Sequence, residues 1–265
     1  MKLQIRHSTT YDFEVPVTYA LQKVRLRPQP THLQDVIDWT LDVQGGRVET
    51  NYVDHYGNDV ALVSIDPGAQ SVVLTASGTV QTHESAGIFG KRYGVAPLWH
   101  FKQATEATEA GPLVVKLAAP LHDEADTLAA LHHVSAAILA ATPYEIGATE
   151  AGITAEQALE TGAGVCQDHA QIFIAVCRAA GLPARYVSGY LMINGQIDQD
   201  ATHAWAEAHV PDLGWVGFDV SNGVCPDEKY VRVAIGRDAR DAAPVAGLRI
   251  GPGDEAMIVS VQVQQ

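Results

Sequence analysis

The chain has 265 residues, 47% of them hydrophobic and 18% charged, which excludes a disordered or fibrous chain and allows one large domain or two ordinary ones. Its 17 basic and 31 acidic residues leave a formal charge of −14, so the surface lacks the positive field that a nucleic-acid partner requires. Met1 to His7 alternate polar and apolar residues, and no apolar stretch approaches the roughly eighteen residues of a membrane span. The expectation is a soluble, cytoplasmic protein without membrane association.

The first part of the chain, to about Thr82, consists of short alternating runs at residues 3–5, 23–27, 38–43, 60–65 and 71–80. Turn-forming groups separate them: Pro28-Gln29-Pro30, Gly45-Gly46, Tyr56-Gly57-Asn58 and Asp66-Pro67-Gly68. This spacing predicts an antiparallel β-sandwich or barrel serving as a structural or substrate-positioning module. Residues 86–112 read as a crossover scattered with Gly87, Gly90, Gly94 and Gly111, which divides the chain into a β-rich unit (1–100) and a catalytic core (101–265).

Beyond the crossover, Asp123 offers a helix cap, and Leu128, Leu131, Val134, Ser135, Ile138 and Leu139 form a stripe at helical spacing up to Pro143. A second helix is predicted over 167–180, ended by Gly181 and Pro183, with Ala170, Phe173, Ile174 and Cys177 on its core face. Strand-like segments follow at 185–193, 202–210, 215–220, 230–235, 247–250 and 257–263. Helices followed by strands favour an α+β domain whose antiparallel sheet packs on the cysteine-bearing helix.

Three cysteines, Cys166, Cys177 and Cys225, are too few and wrongly spaced for a disulfide framework or a Cys-x-x-Cys site. Cys166 lies in Thr161-Gly162-Ala163-Gly164-Val165-Cys166-Gln167-Asp168, a glycine-punctuated turn entering the helix. Helix-terminal N–H groups and a nearby imidazolium favour a thiolate there, although a free cysteine is equally at home as a small buried hydrophobe. The segment 201–209 then places His203, Trp205, Glu207 and His209 on one strand face and Ala204, Ala206 and Ala208 on the other. Asp219 follows on the next strand, sharing a face with Trp215 and Gly217. A cysteine at a helix start, a histidine on one strand and an acid on the next are the parts of an activated-nucleophile triad. For Asp219 to reach His203, paired residue numbers across the hairpin must sum to an even value; a one-residue slip without a bulge would separate them.

These residues resemble the bacterial transglutaminase-like superfamily, whose members share a papain-like core and a Cys-His-Asp triad. The resemblance runs through 164–168, 181–190 (Gly-Leu-Pro-Ala-Arg-Tyr-Val-Ser-Gly-Tyr), 203–207 and 214–219. The first part of the chain, with Arg25-Leu26-Arg27-Pro28 and Asp54-His55-Tyr56-Gly57-Asn58, is similar to the β-rich domain that precedes this core in bacteria. The resemblance implies Cys166 as nucleophile, His203 as general base and then acid, and Asp219 as the orienting acid. The sequence departs from the family pattern at His169 and Gln171, where an aromatic residue and a histidine are common, and at Asp219-Val220-Ser221-Asn222-Gly223, in place of Asp-Pro-Thr-Asn-Gly.

An oxyanion would find the backbone N–H of Cys166 and a second donor, for which Tyr144 is the best-placed side chain by analogy with an upstream aromatic in animal transglutaminases. Gln167 either points into the cleft or caps its own helix, Asp168 either meets a substrate amine or complements the helix dipole, and Trp205 either walls an acyl pocket or packs in the core. The scattered histidines carry no metal-ligand spacing, so neither metal nor cofactor is expected. The expected activity is thioester-forming acyl transfer on a peptide, protein or small amide, with water as the second nucleophile because no amine-binding site is evident. A transglutaminase or peptide ligase using an amine acceptor is the alternative, and a non-catalytic binding or assembly module the second. The oligomeric state is not legible.

Overall fold

The computed structural model describes every residue except 92, 93, 124, 125 and 151. Its first strands are β1 (Lys2–Phe13), β2 (Tyr19–Val24), β3 (Gln34–Gln44), β4 (Gly46–Val53), β5 (Asp59–Ile65), β6 (Ser71–Thr82) and β7 (Ile88–Gly90). Helices α1 (Pro112–Ala118), α2 (Pro120–Asp123), α3 (Thr127–Ala141), α4 (Ala155–Thr161) and α5 (Cys166–Ala179) follow. The chain ends in β8 (Ala184–Leu191), β9 (Asp198–Gln199), β10 (His203–Val210), β11 (Gly214–Phe218), β12 (Tyr230–Gly236), β13 (Val245–Ile250) and β14 (Glu255–Gln264).

Alternating burial along β1 and β6 builds the β-rich unit. Sheet β3-β6-β1-β14-β9 faces sheet β13-β2-β5-β4, and Tyr11, Phe13, Val72, Leu74 and Ala76 of the first meet Ala20, Val24, Ala61, Val63 and Ile65 of the second. The expected antiparallel sandwich is thus present. Strand β4 lies outside the predicted set because it is exposed along nearly its whole length and has no alternation to read. The last two long strands return to this unit: β13 pairs with β2, and β14 with β1 from Gln264 opposite Gln4 to Glu255 opposite Phe13. Both strands lie beyond the predicted boundary at residue 100, so the β-rich unit is completed by the end of the chain and is not confined to residues 1–100.

The other sheet, β12-β8-β10-β11-β7, carries α5 on one face. Ala204, Ala206 and Ala208 of β10 are buried against it, with Phe173, Ile174 and Cys177 in the same cluster. Small side chains on this face let the helix approach the sheet closely. The helix expected from Asp123 starts at Thr127 instead: Asp126 is its cap, and its carboxylate accepts from the N–H groups of Leu128 (3.0 Å) and Ala129 (3.2 Å).

On the opposite face of β10, buried Glu207 is bonded by Arg185 (2.7 Å) and Arg232 (2.9 Å), and the Arg185 guanidinium lies 3.9 Å from the centre of the Trp215 ring. Burial pushes the Glu207 carboxyl up, but the two guanidinium groups outweigh it and hold the value down at about 2. Asn58, itself buried, fastens the β-rich unit to β12: its side chain donates to the Ile235 carbonyl (2.8 Å) and accepts from the Ile235 N–H (2.8 Å). Asp54 holds Asn58 in turn, accepting from its backbone N–H (3.0 Å) and its side-chain amide (3.1 Å). The Asp54-to-Asn58 motif is therefore a clamp between units.

Candidate active site

Cys166 is the first residue of α5, after Val165 in extended conformation. Its approach is pinned on both sides. Gly164 bridges Tyr144, donating to the Pro143 carbonyl (3.2 Å) while its own carbonyl accepts from Glu145 N–H (2.9 Å). The Asp168 carboxylate reaches back to accept from Val165 N–H (2.9 Å) and from the Thr149 hydroxyl (2.7 Å). Asp168 is thus committed to its own helix turn, satisfying an otherwise unpaired N-terminal donor.

His203 opens β10 opposite Gly189 of β8. A Cβ at Gly189 would stand 2.1 Å from the Val231 carbonyl oxygen and 2.8 Å from the Trp205 ring, so only glycine fits beside the histidine. Across the hairpin Ala206 pairs with Phe218 and Glu207 with Gly217, an even sum as expected. His203 and Asp219 therefore share a face, one two-residue step from direct opposition, and His203 Nε2 lies 2.6 Å from Asp219 Oδ2.

Asp219 is fully buried. Besides His203, its Oδ2 accepts from Asn222 Nδ2 (2.7 Å) and the Tyr230 hydroxyl (2.8 Å), while Oδ1 accepts from Asn222 N–H (3.3 Å). Burial alone would raise its pKa; His203, Asn222 and Tyr230 together bring it below the ordinary carboxylate value. Burial likewise pulls the His203 pKa down, but hydrogen bonding to Asp219 and Cys166, together with their charges, lifts it to about 10. Asn222 and Tyr230 were not picked out from the sequence.

The other candidate residues scatter around this pair. Tyr144 is half-exposed, and its hydroxyl is pushed above its ordinary pKa by burial and then by the charges of Cys166 and Asp219. Trp205 is buried, its ring centre 6.4 Å from that of His203 and 5.5 Å from that of Tyr230. Gln167 lines a cavity of 420 Å³ with Gln171, Asp238 and others. Cys177 is wholly buried, with its thiol pKa raised by that burial, as a core cysteine should be.

The two departures from the family pattern bond to each other. Buried His169 places Nε2 2.6 Å from the Thr142 carbonyl and Nδ1 2.7 Å from the Ser221 hydroxyl. A carbonyl only accepts, so Nε2 carries the proton and Nδ1 accepts from Ser221. This neutral imidazole, its pKa lowered by burial, ties the segment before Tyr144 to the turn after Asp219. Among the described residues no group of three or more His, Cys, Asp or Glu is arranged to hold a metal ion, and no helix is long and apolar enough to cross a membrane.

Residues 115–220 match the transglutaminase-like superfamily, and residues 3–81 match the bacterial transglutaminase-like N-terminal region. An uncharacterized protein of Mycobacterium leprae is 28% identical over 99% of this chain and 98% of its own length. A protein-glutamine gamma-glutamyltransferase of Pseudomonas aeruginosa is 33% identical over 103 residues, covering 34% of this chain and 15% of that protein. The crystal structure of a candidate cysteine protease from Cytophaga hutchinsonii shares the fold, with a TM-score of 0.80 at 22% identity over 100% of this chain and 90% of that one.

Proposed function

The chain belongs to the transglutaminase-like superfamily, its core preceded by the bacterial transglutaminase-like N-terminal region, and from that premise we propose that it is a thiol-dependent hydrolase of amide or peptide bonds. Cys166 is the nucleophile, His203 the proton carrier and Asp219 the group that orients and charges the imidazole. The observation that carries this reading is the 2.6 Å His203–Asp219 contact, on an imidazole whose pKa is also raised by Cys166.

Cys166 Sγ adds to the amide carbon while its proton is held on His203. The negative charge on the carbonyl oxygen is met by the Cys166 N–H, the first donor of α5 and unpaired among the described residues, and by the Tyr144 hydroxyl. Collapse breaks the C–N bond, His203 gives its proton to the departing amine, and a thioester remains. Water then adds, losing a proton to His203, and the S–C bond breaks to give a carboxylic acid and the restored thiol. The local match to a gamma-glutamyltransferase favours a second reading, in which an amine replaces water in the last step.

The test is peptide mapping by mass spectrometry after brief iodoacetamide treatment across pH 5 to 9, on wild type and His203→Ala. Rapid alkylation of Cys166 near pH 6, lost in the variant, is expected. Modification only above about pH 8, unchanged by the substitution, would describe an ordinary thiol and overturn the proposal. Screening amide substrates with and without a primary amine then separates hydrolysis, seen as a gain of water, from amine incorporation.

A further inference from the structure

Helix α5 is buried almost continuously from Asp168 to Arg178, so its polar side chains need partners inside the protein. Most have them. Asp168 and His169 are bonded as described, and the Arg178 guanidinium donates to the carbonyls of Phe101 (2.9 Å), Ala184 (3.0 Å) and Arg237 (2.7 Å) and to the Thr108 hydroxyl (2.7 Å). Gln171 is the exception. It is 2% exposed, its amide makes one long contact with the Ile153 carbonyl (3.4 Å), and its carbonyl oxygen has no hydrogen-bond partner among the described residues.

Gln171 lines the 420 Å³ cavity together with Gln167, one helical turn earlier and directly after Cys166. Asp238, 5% exposed, lines the same cavity: one oxygen accepts from Asp241 N–H (2.9 Å), and the other has no hydrogen-bond partner among the described residues. Asp238 and Arg178 attract each other, but the guanidinium spends its N–H groups on the carbonyls and hydroxyl above. At the mouth, exposed Glu106 and Arg240 carry opposite charges. The lining therefore holds two acceptor oxygens without a protein partner among the described residues, one of them anionic, and Gln167, directly after Cys166 in the chain, brings the cavity to the start of α5.

We propose that this cavity is a recognition subsite for a primary ammonium group of the lysine type carried by the substrate, with Asp238 and the Gln171 carbonyl oxygen accepting its N–H donors. An ammonium supplies three donors and the charge that the buried carboxylate calls for, whereas a neutral acetylated amine supplies one donor and no charge. The overall charge of −14 favours approach of such a cation. The site's link to catalysis rests on the thiol reading above; its binding does not.

The experiment titrates Nα-acetyl-lysine methylamide, and its Nε-acetylated counterpart, into Cys166→Ala protein while the side-chain amide resonances of Gln167 and Gln171 are followed by NMR. A saturable shift is expected for the free amine, with binding at least tenfold weaker for the acetylated ligand and tenfold weaker in Asp238→Asn. Gln171→Met weakens binding in the same direction and serves if Asp238→Asn fails to fold. No shift with the free amine, equal binding of the two ligands, or unchanged affinity in the folded variants would overturn the proposal. Iodoacetamide mapping of the wild type judges the thiol separately: an ordinary thiol with selective lysine binding would remove the hydrolase reading and leave the subsite standing.

Discussion

Replacing Tyr230 with phenylalanine isolates one hydrogen bond at the candidate site. The ring keeps its place against Trp205, 5.5 Å between centres, and against His203, 5.9 Å, so packing is conserved and only the hydroxyl 2.8 Å from Asp219 Oδ2 is lost. Tyr230 itself remains protonated, because burial and then the Asp219 charge push its pKa upward. A hydrogen bond to a charged group contributes about 1.5–3 kcal/mol and one between neutral groups about 0.5–1.5. His203 and Asn222 still hold the carboxylate, so the expected cost of Tyr230→Phe at pH 7 is roughly 2 kcal/mol, near the middle of the charged range. In an Asp219→Asn background the same change should cost about 1 kcal/mol less, and that difference is the coupling energy of a double-mutant cycle. Urea denaturation of the four proteins at pH 7 measures it. Equal costs in both backgrounds would show that the hydroxyl does not stabilise the Asp219 charge and would refute the electrostatic account of this contact.

Two further outcomes follow from buried titratable groups. His7, enclosed between Tyr190 (3.1 Å) and Thr9 (3.0 Å), has its pKa lowered by burial to about 4. The folded state resists protonation, so its contribution is complete above pH 6.5, the unfolded value, and is lost as pH falls toward 4. The loss is about 3 kcal/mol, and a urea midpoint that falls as steeply with acid in His7→Gln as in wild type would count against it. Glu207→Gln leaves Arg185 and Arg232 without their counter-charge; because breaking a buried pair costs about 3–5 kcal/mol, a loss in that range is expected at pH 7. The wild-type contribution of Glu207 is present above pH 4.5 and disappears toward pH 2, so the difference between the two proteins should narrow in acid; a constant gap would contradict the assignment.

Local patterns were readable in the sequence where one residue's neighbours along the chain decide its environment. The glycine turn before Cys166, the two faces of β10 and the parity linking His203 to Asp219 all follow from period-two or helical spacing. What escaped depends on distant partners. Tyr230 reads only as the start of a strand, and nothing local says that its hydroxyl meets a carboxylate eleven positions earlier. The face bearing Glu207 could be anticipated, but not that Arg185 and Arg232 would meet there. Asn58 lay inside a noticed motif, yet its partner Ile235 is 177 positions away. Helices α1 and α4, of seven residues each, are too short to establish a period.

The return of β14 to the side of β1 bears on how the protein is made. Gln4 and Gln264 are neighbours, so the first strand, already paired with β6, waits with its other edge open until nearly all of the intervening chain has left the ribosome. At about 5–20 residues per second that interval lasts on the order of ten to fifty seconds. An unpaired edge of alternating apolar residues exposed for so long is a template for association with other nascent chains. Asn58 faces the same delay, since Ile235 also emerges late. Growth temperature and chaperone supply during expression should therefore govern soluble yield more strongly than the equilibrium stability of the finished fold.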